Sequence, residues 1–276
     1  MDIRETIDLK LKKLKGSSGL FYHNLVTDEA FEVLSGQDDD VFEAASVIKL
    51  WIMSCAFEKE NLGLIKWDEK ITLREEDMVP CPGLPDYRED ALNGELSGDM
   101  FPESGVLNYL GQGTTLTIRD LMRLMILISD NTATNILIDI LGKDEINQHI
   151  RSLGAERTVL ERKLFDTSEE VRGKENLFSL KEAADLYQMM YRGELVSQEA
   201  SREMLKILQN QQNTYKLPFY IRRLPIAHKT GEDTGIENDC GIVFSDEPFI
   251  FCFASNGTDE PEAVRTCQDI AKILVG

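Results

Sequence analysis

An S-x-x-K string, from Ser46 to Lys49, places a hydroxyl and an amine three residues apart at the start of an apolar segment. On a helix, residues with this spacing share a face, so the amine can lie beside the hydroxyl. Unpaired N–H groups and the helix dipole at a helix N-terminus favour developing negative charge. Burial against Leu50 and Trp51 favours a neutral amine, which can accept the serine proton. The alternative is an N-cap serine followed by a lysine that extends along apolar surface.

A second polar string, Ser129-Asp130-Asn131, follows the apolar run 121–128 and precedes another helical pattern. The Ser129 hydroxyl could relay a proton to a leaving nitrogen, and the Asn131 amide could hold a substrate carbonyl. The alternative is an ordinary helix N-cap with its capping polar groups.

A third string, Lys229-Thr230-Gly231, ends a strand-like run. Lysine and threonine side chains can bind a substrate carboxylate, and glycine lets a ligand approach the strand edge closely. The alternative is a strand that terminates in a turn.

The elements that must position these strings follow from hydrophobic periodicity. Predicted helices cover residues 3–14, 47–57, 118–128, 132–141, 143–153, 180–191, 198–209 and 260–274. Predicted strands cover residues 19–26, 30–34, 225–230, 240–244 and 249–255. Residues 155–178 read as an irregular ordered loop, and the Pro-, Gly- and acid-rich residues 80–113 as a long surface excursion.

Strands at both ends of the chain with helices between them predict an α/β fold of the α+β type. We expect a mainly antiparallel sheet in which N- and C-terminal strands are adjacent, flanked by helices and joined to an all-helical subregion. The chain shows no internal repeat and no linker, so we expect one domain over residues 1–276. Its α/β part would cover about 1–45 and 215–276, and its helical part about 46–214.

In chain order, S-x-x-K, S-D-N and K-T-G form the signature of class A β-lactamases and penicillin-binding proteins. The sequence resembles the class A β-lactamase-like serine hydrolases over nearly its whole length, including residues 105–139, GVLNYLGQGTTLTIRDLMRLMILISDNTATNILID. The resemblance implies that Ser46 attacks a lactam carbonyl and forms an acyl-enzyme. It also implies that Lys49 accepts the serine proton and that Ser129 donates a proton to the departing nitrogen.

The same resemblance implies the substrate contacts. Asn131 and Lys229 would position the substrate, Thr230 would bind its carboxylate, and Gly231 would let it approach. The oxyanion would lie between the backbone N–H groups of Ser46 and of the residue after K-T-G, Glu232. The Glu232 carboxylate departs from a site for an anionic substrate and would weaken carboxylate binding unless Lys229 or an arginine offsets it.

The loop that carries the deacylating base departs from the family pattern E-x-x-L-N. Aligning Glu161 with the pattern's glutamate places Phe165 where an asparagine should help to hold water. A gapless alignment from Thr158 preserves the loop length and places Leu164 at the glutamate position. We therefore expect slow deacylation, with Glu161 and Asp166 as the fallback bases.

Composition limits the partners. With 49 acidic against 30 basic residues the formal charge is −19, which disfavours nucleic acid and anionic membranes. The expected partner is a small molecule, a β-lactam or an acyl-D-Ala-like compound, with no cofactor and no metal, and the expected state is a monomer. Neither a secretory signal nor a long apolar run is visible, so a cytoplasmic location is expected unless a signal has been removed.

The five cysteines, at positions 55, 81, 240, 252 and 267, are odd in number and lack metal-type spacing, so we expect free thiols.

Other functions compete with β-lactam hydrolysis. The same acylation machinery could serve a D-Ala-D-Ala peptidase or an esterase, and loss of the deacylating base would leave a β-lactam sensor that binds without turnover. A Ser-His-Asp hydrolase is disfavoured, since His228 adjoins Lys229 on a strand and should point to the opposite face.

Overall fold

The architecture was obtained as a computed structural model that describes residues 2–79 and 105–276. Its strands are β1 (Ser17–Asn24), β2 (Ala30–Ser35), β3 (Val41–Glu43), β4 (Lys70–Thr72), β5 (Thr115–Thr117), β6 (Leu177–Ser179), β7 (Ile226–Asp233), β8 (Ile236–Val243) and β9 (Phe249–Asn256). Its helices are α1 (Ile3–Leu11), α2 (Lys49–Asn61), α3 (Ile118–Leu127), α4 (Asn131–Leu141), α5 (Lys143–Ser152), α6 (Thr167–Glu170), α7 (Leu180–Arg192), α8 (Gln198–Leu208) and α9 (Glu260–Val275).

Five strands form the main sheet in the order β2-β1-β9-β8-β7, and every neighbouring pair is antiparallel. The N-terminal strand β1 pairs with the C-terminal strand β9 from Ser17↔Asn256 to Asn24↔Phe249. This arrangement confirms the predicted α+β fold with adjacent N- and C-terminal strands. It also makes β7 an edge strand, so one side of the K-T-G string faces away from the sheet.

Helices cover both faces of the sheet. Helices α1 and α9 pack on one face, where Leu11, Phe251 and Ile270 belong to one apolar cluster. Helix α7 packs on the other face against β1, β8 and β9, within a larger cluster that includes Trp51 and Tyr187. The S-x-x-K, S-D-N and K-T-G motifs lie at the border between the main sheet and the larger apolar cluster, which is mainly helical.

Two of the elements that carry these motifs have boundaries that differ from the predicted ones. The helix predicted over 47–57 begins two residues earlier, as the 3-10 turn Ala45–Ile48, and continues as α2. The strand predicted to end at Thr230 continues to Asp233, because residues 230–233 pair with residues 236–239 of β8. K-T-G therefore lies inside a strand, and the expectation that it ends one is wrong. The strand was predicted to end here because glycine is typical of turns, whereas Gly231 permits close packing inside the strand.

The segment predicted as an irregular loop, residues 155–178, contains α6 and most of β6. β6 pairs with β3, and Val159 forms a β-bridge with Leu177. The short paired strands escaped prediction because three residues carry too little periodicity. Most of the predicted excursion, residues 80–104, lies outside the described residues, and residues 105–113 include a 3-10 turn, Leu107–Tyr109.

Within residues 2–79 and 105–276, no helix is both long and apolar enough to cross a bilayer. The same residues contain no cluster of three or more His, Cys, Asp or Glu side chains that could hold a metal ion.

Candidate functional site

Ser46 lies on the 3-10 turn that joins β3 to α2 and is almost fully buried. The preceding Ala45 has φ = 41°, in the left-handed region that a residue with a Cβ rarely adopts. Such a conformation costs about 1–3 kcal/mol and persists only when the surroundings enforce it. The turn thus fixes Ser46 at the junction between the sheet and α2.

Lys49 is the first residue of α2 and has no solvent exposure. Its Nζ lies 2.9 Å from Ser46 Oγ and 2.9 Å from Ser129 Oγ. It also lies 2.7 Å from the Ser129 carbonyl oxygen and 2.8 Å from Asn131 Oδ1. The structure therefore joins S-x-x-K to S-D-N through this one nitrogen.

These contacts suit a neutral amine, which has two N–H donors and one lone pair. The Ser129 carbonyl and Asn131 Oδ1 can only accept, so they take the two N–H groups. The lone pair is left for a hydroxyl proton, and Ser46 Oγ is within reach. Burial, followed by the positive charge of Lys229, holds the pKa of Lys49 well below its ordinary value.

Ser129 lies between two lysines. Its Oγ is 2.9 Å from Lys49 Nζ and accepts a hydrogen bond of 3.0 Å from Lys229 Nζ. Ser129 has φ = 59°, a second left-handed residue at the site. Burial lowers the pKa of Lys229 to about 8. Ser129 Oγ is therefore placed to relay a proton between Lys49 and a bound group.

Asp130, to which sequence analysis gave no role, holds the S-D-N string in place. Its Oδ1 accepts from the Ala133 N–H and caps α4, while its Oδ2 accepts from the N–H groups of Val106 and Leu107. The carboxylate is 1% exposed, so it acts on the backbone rather than on a ligand. Its place in the motif was the only sequence signal for this role.

Gly231 brings β7 against the Ser46 turn. A Cβ at this position would lie 2.9 Å from the Ala44 carbonyl oxygen and 3.1 Å from the Ser46 nitrogen. Any other residue would push the strand away from the serine. Lys229 therefore lies beside Ser129, and Gly231 lies beside Ser46.

The profile of a family described as the beta-lactamase enzyme family matches residues 2–276. The chain belongs to this family. The solved β-lactamase from Sphaerobacter thermophilus is 28% identical to this β-lactamase-family protein, with 99% of this chain and 97% of that chain covered and a TM-score of 0.81. PBP-A is 25% identical, with 99% and 94% covered and a TM-score of 0.81. A comparison with curated proteins gives no match.

A variant of the reconstructed class A β-lactamase of the last common ancestor of Gram-negative bacteria has the same fold. It is 20% identical, with 100% of this chain and 98% of that chain covered and a TM-score of 0.79. Family and fold together make the protein a class A β-lactamase-like hydrolase.

The loop of this β-lactamase-family protein holds Leu164 next to α4. Asn135 clamps Leu164 on both backbone atoms, since its Nδ2 donates to the Leu164 carbonyl and its Oδ1 accepts the Leu164 N–H, each at 2.9 Å. The Leu164 side chain packs against the larger apolar cluster. A side chain at position 164 is therefore rigidly placed, but leucine has no atom that can accept a proton.

The two fallback carboxylates have other partners. Glu161 is 40% exposed at its side chain and faces Lys174, whose Nζ lies 3.8 Å away. The Asp166 carboxylate accepts from Ser168 Oγ and from the Glu169 N–H at the start of α6. None of the contacts of these carboxylates in the described residues involves Ser46, Lys49 or Ser129.

Lys216, which sequence analysis missed, supplies the charge that offsets Glu232. Its fully buried Nζ lies 3.0 Å from Glu232 Oε1 and 2.5 Å from Glu237 Oε2. Lys229, which the sequence offered as the offsetting charge, also lowers the pKa of Glu232, but Lys216 has the larger influence. No sequence signal could reveal this pair, because Lys216 lies in an irregular segment between α8 and β7.

The histidines form buried pairs away from Ser46. His228 Nδ1 lies 2.8 Å from Asp239 Oδ1. His149 lies between Ser54 Oγ at 2.8 Å and Glu58 Oε2 at 2.9 Å, in the order of a Ser-His-Glu triad. Ser54 has no solvent exposure, so a substrate cannot reach it.

Proposed function

We propose that the protein cleaves β-lactam-type amides through an acyl-enzyme on Ser46 and releases the acyl group slowly. The observation that carries the proposal is the position of Lys49 Nζ, 2.9 Å from both Ser46 Oγ and Ser129 Oγ. One neutral amine can thereby activate the nucleophile and pass its proton toward the leaving group.

Acylation of Ser46 couples attack on the lactam carbonyl to proton transfer. Ser46 Oγ forms a bond to the lactam carbonyl carbon while Lys49 takes its proton. Backbone N–H groups of Ser46 and Glu232 stabilise the oxyanion, and each such donor contributes about 3–4 kcal/mol. The C–N bond then breaks, and the nitrogen receives a proton through Ser129. Lys229 holds Ser129 Oγ at 3.0 Å for this transfer.

Slow deacylation is proposed from Leu164 and from the outward contacts of Glu161. Hydrolysis of the ester needs a base beside the attacking water, and the rigidly held position 164 carries none. A leucine-to-glutamate variant of PBP-A has been solved as an acyl-enzyme complex with penicillin G. This neighbour favours the second candidate function, a penicillin-binding protein that retains its acyl group, with D-Ala-D-Ala peptidase or esterase activity on its own substrate.

The test is intact-mass analysis of the protein after incubation with a panel of β-lactams, followed over time. Wild type should gain one acyl adduct that decays slowly, and Ser46→Ala should gain none. Equal adduct formation in both proteins would remove Ser46 as the nucleophile. Rapid turnover without an adduct would remove the proposal of slow release.

A further inference from the structure

The Glu232 carboxylate lies on β7 two residues after Thr230, the residue that the family resemblance assigned to the substrate carboxylate. Residues two apart on a strand point to the same face, so these two side chains are neighbours. The Glu232 carboxylate pairs with Lys216, whose Nζ lies 3.0 Å from Glu232 Oε1. The chain's own carboxylate therefore lies next to the proposed contact for a ligand carboxylate.

The ammonium group beside this carboxylate already has its full set of partners. Lys216 Nζ has two carbonyl acceptors, Gly231 at 3.1 Å and Asn238 at 3.0 Å, besides the carboxylates of Glu232 and Glu237. An ammonium has three N–H donors, so none is left for a ligand. An incoming carboxylate would find Lys216 engaged.

The carboxylate of Glu232 also keeps its charge. Burial alone would raise its pKa, but the ammonium groups of Lys216 and Lys229 outweigh burial and hold the pKa at about 2. Burial raises the pKa of Glu237 to about 7, against the influence of Lys216. Glu232 is therefore the group that neutralises Lys216, and it places a full negative charge beside Lys229 at any ordinary pH.

We propose that Glu232 is a specificity-determining residue that makes this subsite reject a carboxylate and take a neutral or cationic group that donates hydrogen bonds. The inference rests on the proposed function, in which the acyl donor lies along β7. The Glu232 side chain is 25% exposed, so its carboxylate can accept from an amine, an amide or a hydroxyl on the ligand. A ligand carboxylate would instead meet a like charge in a partly desolvated site, and this repulsion disfavours its binding.

The experiment compares rates of Ser46 acylation by three forms of one β-lactam, measured by intact mass. The forms are benzylpenicillin, its neutral methyl ester and its cationic diethylaminoethyl ester. Wild type should react with both esters about tenfold or more faster than with the free acid, since a like-charge contact costs more than the 1.4 kcal/mol that a factor of ten represents. A faster reaction with the free acid in wild type would overturn the inference.

Glu232→Gln removes the charge and keeps the shape. It should raise the ratio of the free-acid rate to the methyl ester rate about tenfold or more, because the charge repels only the acid, and thermal unfolding of the variant checks its fold. Asp233→Asn removes an equal charge from the exposed next residue and should alter neither rate. An acid-to-ester ratio that Glu232→Gln changes no more than Asp233→Asn does would overturn the inference alone. Absence of any Ser46 adduct with all three forms would instead remove the proposed function and this inference with it.

Discussion

Burial changes the protonation state expected of Lys49. An exposed lysine has a pKa near 10.4 and is almost always protonated at neutral pH, so it cannot accept a serine proton. Lys49 is fully buried beside Lys229, and both features lower its pKa. Burial thus favours the neutral amine, which is the form that the proposed acylation needs as a base.

Replacing Lys49 with alanine should slow acylation of Ser46 by about a hundredfold or more, the usual scale for a positioned acid-base group. Acylation by a β-lactam, followed by intact mass, measures the effect. Lys59→Ala is the matched control, because it removes a lysine from the same helix whose Nζ pairs with Glu145. An unchanged rate in Lys49→Ala would show that this lysine is structural.

Acylation should depend on pH through both lysines. The rate should rise as Lys49 loses its proton, at a pH well below the usual lysine range, and fall above about pH 8 as Lys229 loses its charge. The two limbs are properties of the coupled pair. Lys229→Arg should move the alkaline limb to higher pH, because arginine stays charged. If the alkaline limb of the pH profile does not move in Lys229→Arg, that limb belongs to another group.

Leu164→Glu should speed release of the acyl group, because Asn135 holds the backbone of this residue and a carboxylate there can accept a proton from water. Leu164→Gln has the same size without the base and should stay slow. Glu161→Gln should leave turnover almost unchanged, since Glu161 faces Lys174. The decay rate of the acyl adduct distinguishes the variants. A slower decay in Glu161→Gln than in wild type would identify Glu161 as the base instead.

At the scale of elements, His149 links α5 to α2. Its ring lies between Ser54 and Glu58 of α2, and Lys59 of α2 pairs with Glu145 of α5 nearby. Burial lowers the pKa of His149, although Glu58 opposes this shift. The folded protein therefore holds the imidazole neutral, while the unfolded chain binds a proton below about pH 6.5.

Because the folded pKa lies below the unfolded one, the stabilisation from His149 is present above about pH 6.5 and is lost as the pH falls. His149→Gln should therefore lower Tm more at about pH 7.5 than at about pH 5.5. Thermal unfolding at both pH values measures this. His23→Gln, at a histidine paired with the exposed Asp28, should leave the acid sensitivity in place. An equal loss of Tm at both pH values would contradict the assignment.

At the scale of the whole molecule, the reactivity of the cysteine thiols reports on their burial in the two apolar clusters. Cys55, Cys240, Cys252 and Cys267 are buried and unpaired, and Cys81 lies outside the described residues. Burial raises the pKa of Cys55 to about 12 and raises those of Cys240 and Cys267. Thiolate is the reactive form, so these three groups should be inert in the folded protein.

Thiol titration of the denatured, unreduced protein should find all five cysteines, and titration of the native protein should find at most Cys81 reacting quickly. A count of three or one after denaturation would show a disulfide. The neighbouring thiols of Cys240 and Cys252, which face each other across β8 and β9, would be the first pair to examine.

Sequence patterns predicted most long elements because each of them is amphipathic or uniformly apolar. The strands beside the chain ends, the helices between them and the order of the three reactive strings all follow from local periodicity and residue type. The same patterns missed the four short strands β3, β4, β5 and β6 and the continuation of β7 past Thr230, since those strands are defined by their partners.

The sequence by itself determined the fold class, and it proposed Ser46, Lys49, Ser129 and Lys229 as site residues because their strings carry fixed spacing. Only the tertiary structure decided the electrostatic state of the site. A pKa depends on burial and on charges that lie far apart along the chain, and the pair of Lys216 with Glu232 arises only when an irregular segment packs under β7. The positions of Leu164 and Glu161 were likewise decided by side-chain hydrogen bonds from other elements, which local sequence does not encode.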